Sequence, residues 1–494
     1  MTAARRETPA GGRQGRLHRL LQWIANSSTR TIVLSFALLI LAGSLLLTLP
    51  VASRSGISIG YLPALFTATS CVCVTGLIVV DTATHWTGFG QLVIIMLIQA
   101  GGLGLVTITS FFLLATGRRL GMRSMLAVQE SMGSERFADS RRLVWRIVQF
   151  TAGTELLGAI LLVWRFSLRM PLAAALRRGV FQSISAFCNA GFDLMGDYSG
   201  PFSSLTTWND DPVVLVTTGL LLATGGLGFV VWEDLLGRLR HVWRRVLGRG
   251  RERDAEAGHG ELRFHTRLVL GLTLLLTLLG LVCFWLLEHD NHGAQGLGTL
   301  PGWQQPFAAW FQSVTLRTAG FNSIDQTGLT DASKLLGVML MFIGAGPAST
   351  GGGIKHTTLA VIFAAAIANA RGREETVLRR RTIPRAVVQR ALVIFLMGIT
   401  IFSVSSFLLA IIEEPAIRAD RFRVIDLLYE VASAFGTVGV TSAPTSALQP
   451  LSHIVLIACM FLGRVGPASF AMGLAQRRPQ HSSIVWPEGR TYVG

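Results

Sequence analysis

Four short glycine-bearing segments interrupt a mostly apolar chain at near-equal intervals. They read CVCVTGL (71–77), FCNAGFD (187–193), TLRTAGF (315–321) and GTVGVTS (436–442). Their key glycines, Gly76, Gly191, Gly320 and Gly439, stand 115, 129 and 119 residues apart. Each segment lies between two long apolar stretches. One such loop is ordinarily a turn, but four at matched spacing point to one unit used four times. In a membrane chain, four such loops can place one ring of backbone carbonyls around one hole. A ring of that kind replaces the hydration shell of a cation.

The membrane assignment follows from composition. Half of the residues are hydrophobic, 15% are charged and the mean hydropathy is +0.50. The run 31–50 carries no charge, and about twenty such residues span the ~30 Å hydrocarbon core. The formal charge of +16 invites a nucleic-acid function, and its distribution argues against one. Arginines cluster in 5–30 and in the loops 117–146, 237–267 and 371–390, whereas Asp193, Asp197, Asp210, Asp211, Glu288 and Asp290 occupy alternate loops. Basic loops mark the cytoplasmic side, which places both termini inside a cell (inner or plasma) membrane. Arg165, Arg169, Arg177 and Arg178 fall on the predicted outer side, where they would flank a re-entrant helix or meet lipid phosphates. The Arg- and Gly-rich segment 1–26 reads as disordered and lacks the pattern of a cleaved signal. The five cysteines, Cys71, Cys73, Cys188, Cys283 and Cys459, form no zinc pattern.

The chain therefore predicts an all-α polytopic membrane protein of four parallel repeats, each a membrane helix (M1), a re-entrant half-helix (P), a glycine segment and a second membrane helix (M2). Eight transmembrane helices and four pore loops would close a pseudo-four-fold pore. The boundaries are a cytoplasmic tail 1–29; repeat 1 with its basic linker, 30–142; repeat 2 with its linker, 143–265; repeat 3 with its linker, 266–385; repeat 4, 386–476; and a cytoplasmic tail 477–494. First helices are expected near 30–50, 143–165, 266–287 and 387–412, and second helices near 90–116, 212–236, 332–369 and 450–475. The half-helices would end near Ser70, Phe187, Ser313 and Phe435. Residues 101–104 and 225–228 both read GGLG, and 346–349 and 466–469 both read GPAS; small residues of this kind let membrane helices pack closely.

The glycine segments suit potassium. Glycine permits positive φ and close approach, and irregular backbone at membrane depth is tolerated where it lines a cavity. The candidate ligands are the carbonyls of Val74, Thr75 and Gly76; Asn189, Ala190 and Gly191; Thr318, Ala319 and Gly320; and Thr437, Val438 and Gly439. No ring of carboxylates accompanies them, which disfavours calcium. A potential of about 100 mV is worth ~2.3 kcal/mol per charge, enough for roughly 40-fold accumulation without chemical fuel. Arg317, inside the third segment, is either a filter charge or a buried arginine paired with carbonyls behind the loop.

A gate is expected below the filter. The third quarter carries GAGPASTGGGIKHTT (344–358) inside a membrane-length run. Gly351, Gly352 and Gly353 each cost about 1 kcal/mol in a helix, and Pro347 breaks its ladder. The spacing from Gly346 through Lys355 does not match a phosphate-binding P-loop. Arg464 sits in the last apolar run, 454–472, where an unpaired charge costs at least ~2.5–3.5 kcal/mol. Its expected partners are the carbonyls of the 344–353 loop.

Together, VTGL (74–77), FCNAGFD (187–193), RTAGFNS (317–323), STGGGIK (349–355) and GRVGPAS (463–469) resemble the signature segments of the Trk/Ktr/HKT superfamily of potassium transporters, most closely its KtrB-type membrane subunits. The resemblance covers about 30–494. It implies four M1–P–M2 units, one filter glycine per loop, a gating loop in the third unit and Arg464 beside that loop. It further implies a homodimer on a cytosolic KtrA- or TrkA-type ring that binds ATP or ADP, with sodium as an activator and no cofactor on this chain itself. The tail 486–494 is similar to the KtrB tail at the dimer interface. Some plant relatives carry serine in the first loop and admit sodium more readily, so Gly76 implies a preference for potassium. Leu316 stands where a small polar residue is expected.

Two other functions compete with this one. A sodium- or proton-coupled potassium symporter would need an acidic residue within the membrane, and Glu155 is expected near a helix start. An intramembrane hydrolase would have to use Ser349 with His356, and nothing else assembles a nucleophile–base site; no enzyme activity is expected.

Overall fold

The computed structural model describes residues 28–104, 140–246, 262–293 and 296–466. The chain begins with α1 (Ser28–Thr48), a short α2 (Tyr61–Cys73) and α3 (Gly88–Leu103). Next come α4 (Ser140–Ser167), a short α5 (Leu172–Phe187), α6 (Pro212–Leu227) and α7 (Phe229–Val246). These are followed by α8 (Phe264–Glu288), a short α9 (Gln305–Thr315), α10 (Asp331–Phe342) and α11 (His356–Ala370). The described part closes with α12 (Arg385–Ile412), a short α13 (Val424–Gly436) and α14 (Pro450–Val465).

Burial sorts these helices into two kinds. Trp145–Ser167, Phe264–Glu288 and Arg385–Ile412 are long and apolar enough to cross a membrane. They expose Leu156, Leu157 and Ile160, Leu274, Leu275 and Leu278, and Leu392, Leu396 and Phe407. Apolar side chains turned outward on a helix of membrane length face lipid, not water. The short helices show the reverse pattern. On α2, Phe66 through Cys73 are all buried, as are Asp426, Leu427 and Tyr429 through Gly436 on α13. Helices too short to cross therefore form the centre of the bundle, packed against their longer neighbours.

Local chemistry sets several starts. Asp211 caps α6 by accepting from the backbone of Val213 and Val214, with Pro212 in the first turn. The Thr330 hydroxyl accepts from Ser333 at the start of α10, and the Thr87 hydroxyl accepts from Gly90 at the start of α3. Such caps satisfy backbone donors that have no partner within the helix.

Several predicted boundaries shift. α2 runs to Cys73, past the expected end at Ser70, and α9 runs to Thr315, past Ser313. The expected single helix 212–236 is two helices, bent by 102° at Gly228, whose φ of +93° ends α6. The helix expected at 332–369 is interrupted as the glycines predict. Two two-stranded ladders qualify the all-α expectation. β1 (Ile343–Gly344) pairs in parallel with β2 (Ile354–Lys355), and β3 (Thr376–Leu378) pairs antiparallel with β4 (Arg381–Ile383). Residues 105–116 and 467–475 of the helices expected at 90–116 and 450–475, the basic segment 117–139 and the tail 486–494 lie outside the described residues.

Charge on the side predicted as outer is balanced locally. Arg165 pairs with Asp211, Arg169 with Asp210, and both Arg177 and Arg178 with Asp197. Protein carboxylates, in place of the lipid phosphates considered from sequence, meet these arginines. Donating hydrogen bonds to Asp210 pushes the Arg169 guanidinium above its ordinary pKa, so that pair keeps its charge.

Candidate functional site

The four key glycines meet. A Cβ placed on Gly191 would lie 2.9 Å from the Cα of Gly320 and 3.2 Å from the Cα of Gly76. One on Gly76 would lie 3.3 Å from the Cα of Gly439, and one on Gly320 would lie 3.4 Å from it. The ring closes in chain order: 76, 191, 320, 439, and back to 76. The carbonyls repeat the same pattern. Gly76 faces the carbonyl of Ala190, Gly191 that of Ala319, Gly320 that of Val438, and Gly439 that of Thr75. Each glycine thus meets the carbonyl of the residue preceding the next glycine, four times over with one sense of rotation.

Backbone sign explains how one stretch can line a ring. The glycines have φ of +96°, +72°, +86° and +100°. The residue two before each is left-handed as well: Val74 at +56°, Asn189 at +60°, Thr318 at +74° and Thr437 at +51°. The residues between, Thr75, Ala190, Ala319 and Val438, are not left-handed. Successive carbonyls of an ordinary strand point to opposite sides; alternation in the sign of φ turns them to one side. Such φ is sterically costly for branched residues, at about 1–3 kcal/mol each, and persists where surroundings enforce it.

Here hydroxyls enforce it. Ser70 and Ser433 accept through Oγ from the amides of Gly76 and Gly439, at 3.0 and 2.9 Å. Ser185 Oγ accepts from the Phe192 amide at 3.1 Å. In the third loop Thr315 Oγ1 accepts from the Phe321 amide at 3.0 Å and donates to the Phe321 carbonyl at 2.8 Å. The carbonyls of these same residues accept from Thr75, Ala190, Ala319 and Val438. Sequence reasoning missed this set, although a hydroxyl five or six residues before each glycine was visible. Leu316 is also clarified. It aligns with Val72, Phe187 and Phe435, all apolar, and is buried beside Phe284 and Tyr429. A small polar residue was the wrong expectation there.

The paired GGLG segments do two jobs. The first glycine packs its helix on the end of the adjacent short helix, as Gly101 on the Val72 carbonyl and Gly225 on that of Phe187. Gly463 meets the Phe435 carbonyl in the same way. The last glycine ends the helix at positive φ: Gly104 at +78° and Gly228 at +93°, with Gly466 at +86° in the last quarter.

The interrupted third helix forms a loop closed at its neck by β1 and β2, with Ile343 opposite Ile354 and Gly344 opposite Lys355. This loop lies against the residues two before the glycines. The Gly352 amide donates to Thr437 Oγ1 at 3.0 Å, and Thr350 Oγ1 donates to Asn189 Oδ1 at 3.2 Å. Asn189 Nδ2 donates to Thr318 Oγ1 at 3.4 Å. A Cβ on Gly351 would come within 2.9 Å of Thr318 Cβ, and one on Gly352 within 2.7 Å of Thr437 Cγ2. Gly353 has φ of +66°. The loop is also anchored to the second quarter: the Gly346 amide donates to Gly226 O, Thr350 to Gly225 O, and Phe229 to Ala348 O.

Two cations hold the loop by its carbonyls. Lys355 Nζ donates to Gly351 O at 2.7 Å. Arg464 donates through Nη1 to Thr350 O and through Nη2 to the carbonyls of Gly101 and Gly102. Arg464 thus bridges the loop to the first quarter, where the loop itself bonds no rim residue. Arg317 points away from the ring, donating to Thr273 O at 3.2 Å and Thr277 Oγ1 at 3.4 Å on α8.

Ser349 Oγ donates to Gly346 O at 2.7 Å, and no hydrogen bond joins it to the buried His356. The pair proposed for a hydrolase is therefore not joined. Glu155 needs correction: it lies mid-way along α4, not near a helix start, and accepts from Gln99 Nε2 at 3.0 Å.

Comparison with known proteins agrees with a membrane transport architecture. Residues 14–484 match the family model TrkH, described as a cation transport protein. The chain belongs to the TrkH family. Among TrkH-family relatives, Ktr system potassium uptake protein B of Vibrio alginolyticus is 40% identical over 465 residues, covering 94% of each chain. Its namesake in Bacillus subtilis is 34% identical, covering 96% of this chain and 99% of the relative. The potassium/sodium uptake protein NtpJ of Enterococcus hirae is also 34% identical, covering 95% of this chain and 97% of the relative. The crystal structure of the potassium transporter TrkH from Vibrio parahaemolyticus shares the fold with a TM-score of 0.64 at 18% identity, covering 90% of this chain and 84% of that one. A TrkH-family protein with lipid-facing helices of this kind is a membrane cation transporter.

Proposed function

We propose that this chain is the membrane subunit of a potassium uptake system, conducting through the four-glycine ring under the membrane potential. The observation that carries the reading is the rotationally repeated contact of each glycine with the carbonyl before the next. The ring and its flanking carbonyls act as the filter, and the four helix–loop–helix quarters act as pseudo-equivalent M1–P–M2 units with both termini cytoplasmic. The loop 345–353, held by Lys355 and Arg464, closes the path below the filter. Opening requires those carbonyls to be released. Control comes from a cytosolic ATP- or ADP-binding ring of the KtrA or TrkA type, on a homodimer of this chain, with sodium as an activator. The names of the relatives, which describe potassium uptake systems, support the ion and the multi-component assembly.

The test is potassium uptake in cells lacking their own uptake systems, with and without a ring subunit and with sodium or rubidium as competitors. Rescue at limiting potassium, enhanced by the ring, is expected. Failure to rescue despite membrane insertion would overturn the reading. The mid-membrane position of Glu155 favours one second reading, in which uptake is coupled to protons or sodium. Dependence of uptake on an imposed proton or sodium gradient at fixed voltage, lost in Glu155→Gln, would select it.

A further inference from the structure

The contact between the loop and the ring is made by particular side chains. The inner rim consists of Val74, Asn189, Thr318 and Thr437, the four left-handed residues two before the glycines. Three are polar, and those three meet the loop. Asn189 accepts from Thr350, Thr437 accepts from the Gly352 amide, and Thr318 accepts from Asn189 while lying against Gly351. The fourth, Val74, is apolar, and in that quarter Arg464 bonds Gly101 and Gly102 instead. Asn189, Thr318, Thr437 and Thr350 are each at most 1% exposed.

Buried polar groups that lose their partners are costly to leave unpaired. When the loop withdraws, Asn189 and Thr437 lose these bonds together, and the rim they hold in a strained backbone is free to relax. Gly351 and Gly352 serve close approach here, because a side chain at either would strike Thr318 or Thr437.

We propose that the gate loop is also a template for the inner rim of the filter, so that gate position and ion discrimination form one coupled equilibrium. The inference rests on the filter-and-gate reading above. Linkage is reciprocal. An ion that fits the templated rim favours the closed loop, and withdrawal of the loop weakens discrimination against the poorer-fitting ion.

The test uses the full chain in proteoliposomes, measuring the ratio of sodium to potassium bound at equilibrium, where the closed loop is populated, and potassium uptake under a fixed inside-negative potential. Thr437→Val keeps the shape and removes the acceptor. It should raise that ratio by about two- to tenfold, the worth of one hydrogen bond, while Thr437→Ser restores it. Releasing the loop by Arg464→Gln should raise the ratio too, and the double variant should be no worse than the larger single effect. Such non-additivity marks residues acting in one network. Thr350→Val repeats the test from the loop side through Asn189 and serves if Thr437→Val does not insert. An unchanged ratio in Thr437→Val and Thr350→Val, with normal potassium uptake, would overturn the coupling and leave the transport reading standing. Strictly multiplicative effects of Thr437→Val and Arg464→Gln would overturn it as well. A wild-type chain carrying no potassium would overturn the transport reading itself.

Discussion

The glycine ring and the loop beneath it are neighbours with opposite construction. The ring is built four times from one plan, with a hydroxyl, a left-handed residue and a glycine in each quarter. Among the described residues the loop occurs once, in the third quarter, and reaches the other quarters through unlike partners: Gly225 and Asn189 in the second, Thr437 in the fourth, and the first by way of Arg464. A cation on the axis needs equivalent dipoles from every side. Blocking that axis needs only one object.

This contrast can be broken experimentally, starting with the ring. Gly76→Asp should abolish uptake at normal membrane abundance, since its φ of +96° and its contact with the Ala190 carbonyl leave no room for a side chain. The same change at Gly191, Gly320 or Gly439 should be equally severe; one quarter that tolerates it would end the claim of equivalence. Arg464→Gln acts on the single-copy side and should increase uptake. Charged hydrogen bonds are worth about 1.5–3 kcal/mol, so the open-to-closed ratio should rise by roughly one to two orders of magnitude. Lost expression in place of faster uptake would make Arg464 a structural tether. Lys355→Met removes one charge-assisted bond from the same loop, where Arg464 makes several, and should give a smaller gain, on the order of tenfold, read as initial uptake rate without the ring partner. Ser70→Ala, Ser185→Ala, Thr315→Val and Ser433→Ala should each weaken apparent potassium affinity about two- to tenfold, one neutral bond apiece. Unequal losses among the four would show that the quarters share shape but not load. Arg169→Gln should be nearly silent, because partly exposed ion pairs contribute little; its uptake and thermal stability serve as the baseline.

Repetition made the ring readable. Four glycine segments at matched spacing located the elements, and the charge-free runs located the helices around them. The break at Gly351–Gly353 was equally plain, because three glycines and a proline cannot hold a helix. Arg464 stood out through the cost of a charge in an apolar run. Other features were hidden for physical reasons. GGLG in the second quarter looked like packing alone, yet Gly228 turns the chain by 102°, a φ choice no apolar pattern encodes. Glu155 seemed peripheral until the helix beginning at Ser140 placed it mid-span beside Gln99. The pairing of Arg165, Arg169, Arg177 and Arg178 with aspartates depended on loops folding back, which spacing alone does not reveal.

The two-residue ladder at the base of the loop has a consequence for how the protein can change over time. Because Ile343 and Ile354 are paired, the chain leaves and re-enters the scaffold at one point. Residues 345–353 are therefore insulated from α10 and α11, as a cassette is from its housing. Closure entropy varies only slowly with loop length, by about 0.6 kcal/mol per doubling. Insertions or deletions in that cassette would leave the surrounding helices in place, and under the coupling proposed above they would shift gating and ion discrimination together.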